Sequence, residues 1–130
     1  MTRIYTIPAK PTRYAGVEFR SLLESEWAIF LDQRLIAWKY EPRAFHLPCR
    51  PWQWYKPDFL FPEFKVFAEV KPDVSEISEG FTETEYRLAC ELCDRTGYPV
   101  ILLIGNPHPG PHPILIRREG EVFRMDDWEF

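Results

Sequence analysis

Three charged side chains near the middle of the chain have types and spacing that suit hydrolytic chemistry. Asp58 follows Pro57 in "KPDF", and "AEVK" then sets Glu69 and Lys71 on either side of Val70. In a β-strand, side chains at i and i+2 share a face, so Glu69 and Lys71 point the same way while Val70 turns toward the core. If the flanking segments are adjacent antiparallel strands turned at Pro62-Glu63, Asp58 lies across from Glu69. Two carboxylates that close raise each other's pKa unless a cation lies between them. Oxygen ligands with room for water suit Mg²⁺, with Mn²⁺ as a substitute. An ammonium at Lys71 would orient an attacking water and stabilise charge on a phosphate. The plainer alternative is a turn aspartate near a surface ion pair worth at most about 1 kcal/mol.

The elements that must position these residues follow from periodicity. Between Phe19 and Arg34, apolar residues such as Leu22, Leu23, Trp27, Phe30 and Leu31 recur mostly three or four apart, which predicts a helix. Ser21 and Glu24 have the spacing of a capping pair, so on composition alone Glu24 reads as a cap or a solvent-facing residue. Trp38, Tyr40, Phe45 and Leu47, interrupted by Pro42 and Pro48, predict two short strands or a ragged hairpin. Residues 55–61 and 64–71 predict two further strands, the second limited by Pro72.

After an acidic, polar stretch at 73–80, Thr82 to Arg95 predicts a second helix with Tyr86, Ala89, Cys90 and Cys93 on one face and Gly97 as its stop. Val100–Ile104, between Pro99 and Gly105, predicts a fully buried strand. "NPHPGPHP" breaks the chain, and Ile114–Ile116 and Val122–Phe123 around Glu119-Gly120 predict a small closing hairpin. The expected fold is α/β, a central mixed β-sheet flanked by helices. It forms one domain over 1–130, with 1–17 as an extended arm and 106–130 as a C-terminal loop and hairpin.

Of the 130 residues 45 % are hydrophobic and 16 % aromatic, too aromatic for a disordered chain. Apolar runs are too short to span a bilayer, the N-terminus lacks a signal peptide's apolar centre, and three Cys is an odd count. A cytoplasmic protein with no membrane partner is expected. The net charge of −4 argues against a free-standing duplex binder, but the charge is unevenly spread. Residues 34–56 carry five bases and one acid, whereas residues 57–94 carry ten acids and three bases.

Within the basic block, Trp38, Tyr40, Trp52, Trp54 and Tyr55 interleave with Lys39, Arg43, Arg50 and Lys56. Basic groups could neutralise phosphates while aromatics stack on unpaired bases. Trp38 and Tyr40 read as core, and Trp52 and Trp54, beside Pro51, as exposed surface. Arg20, Arg43, Arg50, Trp52, Trp54 and Lys56 are the candidate nucleic-acid-binding residues. Cys90 and Cys93 lack the partners of a zinc site and read as core, and His108 and His112 read as loop residues. Glu83 and Arg87, four apart, have the spacing of a solvated helix pair.

"KPDF" followed by "AEVKP" resembles the signature of the PD-(D/E)XK nuclease superfamily. The upstream "FRSLLESEWAIFLD" with "WKYEP" resembles the first helix and strand of phage- and mobile-element-encoded members, and "GYPVILLIG" their strand after the second helix. The likeness covers roughly residues 14–105. It implies a restriction endonuclease-like core and Mg²⁺-dependent hydrolysis of phosphodiester bonds in DNA. Asp58, Glu69 and the Val70 backbone carbonyl would hold the metal, and Lys71 would position the attacking water. Glu24, in the "RSxxE" spacing, would bind the metal directly, through water, or help hold a second one.

Glu83 and Arg87 would be accessory residues if that helix faces the site. So small a chain is compatible with a homodimer or a larger nucleoprotein assembly, in the host cytoplasm if phage-encoded. The resemblance to transposon-end endonuclease subunits also permits a nuclease active only with a partner. Outside that class stand a non-catalytic nucleic-acid- or protein-binding module on the same fold, and an unrelated mixed α/β domain with a surface ion network.

Overall fold

A computed structural model describes residues 12–72 and 83–130, so the acidic stretch at 73–80 and residues 1–11 of the expected arm lie outside the described residues. In chain order the elements are β1 (Thr12–Tyr14), β2 (Val17–Phe19), α1 (Leu22–Gln33), β3 (Lys39–Tyr40), β4 (Phe45–Leu47), β5 (Arg50–Tyr55), β6 (Phe59–Phe61), β7 (Val66–Lys71), α2 (Glu83–Thr96), β8 (Val100–Ile104), β9 (His112–Arg118) and β10 (Glu121–Trp128). Six strands form one mixed sheet in the order β10-β9-β8-β7-β6-β3. Its one parallel pair among the described residues is β7–β8, and such a pair needs a crossover connection, which carries α2.

The central strands are apolar on both faces and are covered on both. Val66, Ala68, Val70, Ile101 and Leu103 pack with Trp27, Ala28 and Leu31 of α1. Phe67, Val100 and Leu102, on the other face, pack with Leu88, Ala89, Leu92 and Cys93 of α2. The fold is therefore α/β, with a helix on each side of a mixed sheet. Cys93 is core, as expected, and Cys90 packs half-buried beside it. No helix of the described residues is long and apolar enough to cross a membrane.

Local chemistry sets where the elements begin and end. The capping pair forms: the Ser21 hydroxyl accepts the Glu24 N–H at 3.1 Å and donates to Glu24 Oε1 at 3.0 Å. α1 therefore starts at Leu22, and Phe19, expected in the helix, lies in β2 with its side chain wholly buried. Residues 12–17 of the expected arm belong instead to a β1–β2 hairpin, closed at Ala15 and Gly16, both with positive φ (53° and 79°). Helix α1 ends one residue short of the expected Arg34 without a glycine: the Leu35 N–H donates to the Asp32 carbonyl (3.0 Å) and the Ile36 N–H to Leu31 (2.9 Å). Leu35 takes the left-handed conformation this requires (φ 59°).

Of the two forms expected around Trp38 and Leu47, two short strands is the one that occurs: β3 pairs with β6, and β4 pairs with β5 as a separate two-stranded sheet. β7 starts at Val66 rather than residue 64, because the chain turns through Lys65, whose φ is 55°. The closing hairpin does turn at Glu119-Gly120, but its strands are longer than expected and β9 joins the main sheet, with Val100 opposite Leu115. His112, expected in a loop, is consequently buried in β9.

Leu35 is 91 % exposed, so little packing offsets the cost of its positive φ. Leu35→Gly is expected to stabilise the protein by about 0.5–1 kcal/mol in urea denaturation, since relief of the left-handed strain outweighs the extra entropy glycine gives the unfolded chain.

Candidate active site

The β6–β7 register carries the site. Phe59 lies opposite Ala68 and Leu60 opposite Phe67, so the next step of the antiparallel register sets Asp58 against Glu69. Asp58 Oδ2 accepts the Val70 N–H at 2.7 Å, and the Asp58 carbonyl accepts the Glu41 N–H at 2.9 Å. The residue is thus stitched to β7 on one side and to the end of β3 on the other. At the end of β7 the Lys71 carbonyl accepts the Gly105 N–H (2.8 Å), and the Gly105 carbonyl accepts Trp27 Nε1–H (3.0 Å). This chain of bonds ties the strand bearing Lys71 to the helix bearing Glu24.

Glu69 is 4 % exposed and Glu24 8 %. Glu69 accepts a hydrogen bond from the Tyr55 hydroxyl. Burial pushes the Glu69 carboxyl up to about 7; the Tyr55 and Asp58 hydrogen bonds and the Lys71 charge hold it down, and the Glu24 charge adds to the rise. Asp58 is raised well above the ordinary carboxylate range, first by burial, then by the Glu69 and Glu24 charges, with the Val70 N–H acting the other way. Tyr55 is raised as well, by burial and then by Glu69. The Lys71 ammonium lies 3.3 Å from Glu85 Oε1.

Asp58, Glu69 and Lys71 line an open groove of about 860 Å³, together with Tyr55 and Glu85. Arg20, Arg50, Trp52, Trp54 and Lys56 also line it. Arg20 is engaged there by Glu41, with its Nε 2.7 Å from Oε2. Five of the expected residues do not line the groove: Glu24 and Val70, which are buried behind it, Arg43, which lies over the Phe45 ring, and Glu83 and Arg87, which are exposed at the start of α2. From that helix Glu85 faces the groove instead. Sequence reasoning missed Glu85, although Glu85, Leu88 and Leu92 share a helical face and the last two are apolar. It also missed the polar role of Tyr55, for which no signal other than its place just before "KPDF" was present.

Among the described residues, no group of three or more His, Cys, Asp or Glu side chains stands arranged to hold a metal ion. What the structure brings together is a buried and a half-buried carboxyl group, Glu69 and Asp58, both with raised pKa values, a third close enough to act on both, and an ammonium at the rim. No family model matches this chain, and no curated protein does either.

The sign of the pH effect follows from Glu69. Its folded value lies above the ordinary 4.5, so the metal-free folded protein keeps a proton that the unfolded chain has released. Stability is expected to fall as pH rises from about 4.5 to about 7, with Asp58 adding in the same direction. Glu69→Gln should therefore melt higher than wild type at about pH 8 and close to it at about pH 4.5. Thermal denaturation in a chelator across that range checks this; a variant less stable than wild type at the alkaline end contradicts it.

Proposed function

We propose that the protein is a metal-dependent nuclease with a restriction endonuclease-like core, hydrolysing phosphodiester bonds in DNA. The observation that carries this reading is the pairing of half-buried Asp58 with buried Glu69 across neighbouring strands, beside Lys71 in an open groove. A surface ion network does not account for it, because burying the Glu69 carboxylate against a second acid costs stability unless something else is gained. The order of elements supports it too: the helix bearing Glu24 precedes Asp58, at the entry to β6, and Glu69 on β7, and α2 and β8 follow.

The donor set fits Mg²⁺ or Mn²⁺. Such ions are commonly held by one or two carboxylates, with water and substrate phosphate filling the other positions, so three protein side chains are not required. Asp58, Glu69 and the Val70 carbonyl would hold the ion, with Glu24 directly or through water. The ion would supply Lewis-acid polarisation of the phosphoryl group. Lys71 donates hydrogen bonds to the attacking water and the phosphoryl oxygens, countering the charge that builds as the P–O bond breaks. Glu85 holds the ammonium in place. Tyr55 and the Val70 N–H orient the two carboxylates through one oxygen each.

A second reading has its own observation. The groove is lined by four cations (Arg20, Arg50, Lys56, Lys71) and four acids (Glu41, Asp58, Glu69, Glu85), so once Asp58 and Glu69 have given up their protons its side chains supply no net positive field to draw in a duplex. A nuclease subunit to which a partner delivers DNA fits that balance.

Incubation with linear, nicked, branched and single-stranded DNA separates these readings. With Mn²⁺ the wild type is expected to cut at least one substrate, EDTA to abolish cutting, and Lys71→Ala to lower the rate on the order of 10²- to 10³-fold with the fold intact by circular dichroism. Equal cutting by Lys71→Ala overturns the assignment of Lys71. No cutting of any substrate by wild type removes the free-standing enzyme.

A further inference from the structure

The small β4–β5 sheet is anchored on one strand and open on the other. From β4, Phe45 and Leu47 are buried in the core shared with α2. Two polar bonds from α2 fix the backbone alongside: Arg95 Nη1 donates to the His46 carbonyl (2.6 Å), and Glu91 Oε2 accepts the Cys49 N–H (3.0 Å). On β5, by contrast, Trp52 is 77 % and Trp54 63 % exposed. At i and i+2 they share a face of the strand with Arg50. The His46 ring stands edge-on against Trp54 at 3.8 Å between centroids and props the indole.

Two exposed indoles on a fixed strand are costly to leave in water and have a stackable π-face. Their surroundings say what would cover them. Residues 43–56 carry Arg43, Arg50 and Lys56 and no Asp or Glu, a charge pattern complementary to phosphate. The strand leads directly to the carboxylates, because Tyr55, the residue after Trp54, donates to Glu69. A chain held on the indoles would run into the groove that Asp58, Glu69 and Lys71 line.

We propose that β5 is a base-stacking platform, and that the groove takes DNA with unpaired nucleotides beside the phosphate to be cut. The proposal rests on the nuclease reading above and names its substrate class. Bases within a duplex are already stacked and offer no free face, whereas single-stranded bases of any sequence can lie on an indole. Arg50 and Lys56, at either end of the aromatic pair, neutralise the phosphates of the same segment.

The test separates binding from cutting. Fluorescein-labelled oligo-dT and a hairpin duplex of equal length are titrated with the wild-type protein in EDTA, and binding is read by anisotropy. Oligo-dT is expected to bind more tightly than the duplex. Trp52→Ala and Trp54→Ala should each weaken it roughly 10-fold, and the double variant about 100-fold, while phenylalanine at either position keeps most of the affinity. Both indoles are exposed, so the variants should retain wild-type circular dichroism. Oligo-dT binding unchanged in the double variant, or no tighter than duplex binding, overturns the platform and leaves the indoles to a protein partner. Stacking without cleavage in Mn²⁺ removes the free-standing nuclease and leaves the platform standing. Cleavage of single-stranded DNA that ignores the double variant overturns the platform alone.

Discussion

Glu69 sits on a strand covered on both faces, and a carboxylate can remain there only with partners. Those partners determine much of the surrounding architecture. Tyr55 brings in the end of β5, Asp58 brings in the start of β6, and Lys71 lies two residues further along β7 itself. Asp58 in turn is held by the Val70 N–H, so one hydrogen bond of 2.7 Å fixes the register by which the two acids meet. The arrangement stays compatible with burial by keeping protons on the acids, which is why both carboxyl groups are raised. Apolar residues of similar size would make a more stable strand, so the acids mark the place where stability is set against another requirement.

The outer layers serve the same point from different directions. α1 approaches from one face and supplies Glu24 in its first turn, located by the Trp27–Gly105–Lys71 chain of hydrogen bonds. α2 covers the other face and supplies Glu85 to the Lys71 ammonium, while Glu91 and Arg95 further along it hold the β4–β5 sheet. One helix therefore sets the position of both the cation at the rim and the aromatic strand beside it. This coupling gives the groove two chemically distinct parts, an acidic interior and a basic, aromatic wall.

What could be read from the sequence follows the range of the interactions. The i, i+2 alternation of a strand is local, and it correctly put Glu69 and Lys71 on one face with Val70 in the core. The turn at Pro62-Glu63 was also local, and it was enough to infer that Asp58 would meet Glu69. The Ser21 cap was readable because its partner is three residues away. Pairings between distant segments were not: β3 finds β6 and β9 finds β8 through packing that no short window contains. The β1–β2 turn was hidden because Ala15, rather than Asn or Asp, takes its first left-handed position. On α2 the conspicuous Glu83–Arg87 spacing drew attention away from Glu85, whose only mark was its alignment with Leu88 and Leu92.

A divalent cation bound as proposed would displace the protons that Asp58 and Glu69 hold near neutral pH. Calorimetric titration of Mn²⁺ into the protein near pH 6.5, in two buffers of different ionisation enthalpy, measures binding and proton release together. Binding accompanied by proton release, and loss of both in Asp58→Asn, is the expected result. Absence of Mn²⁺ binding, or binding that releases no protons and survives Asp58→Asn, would contradict it.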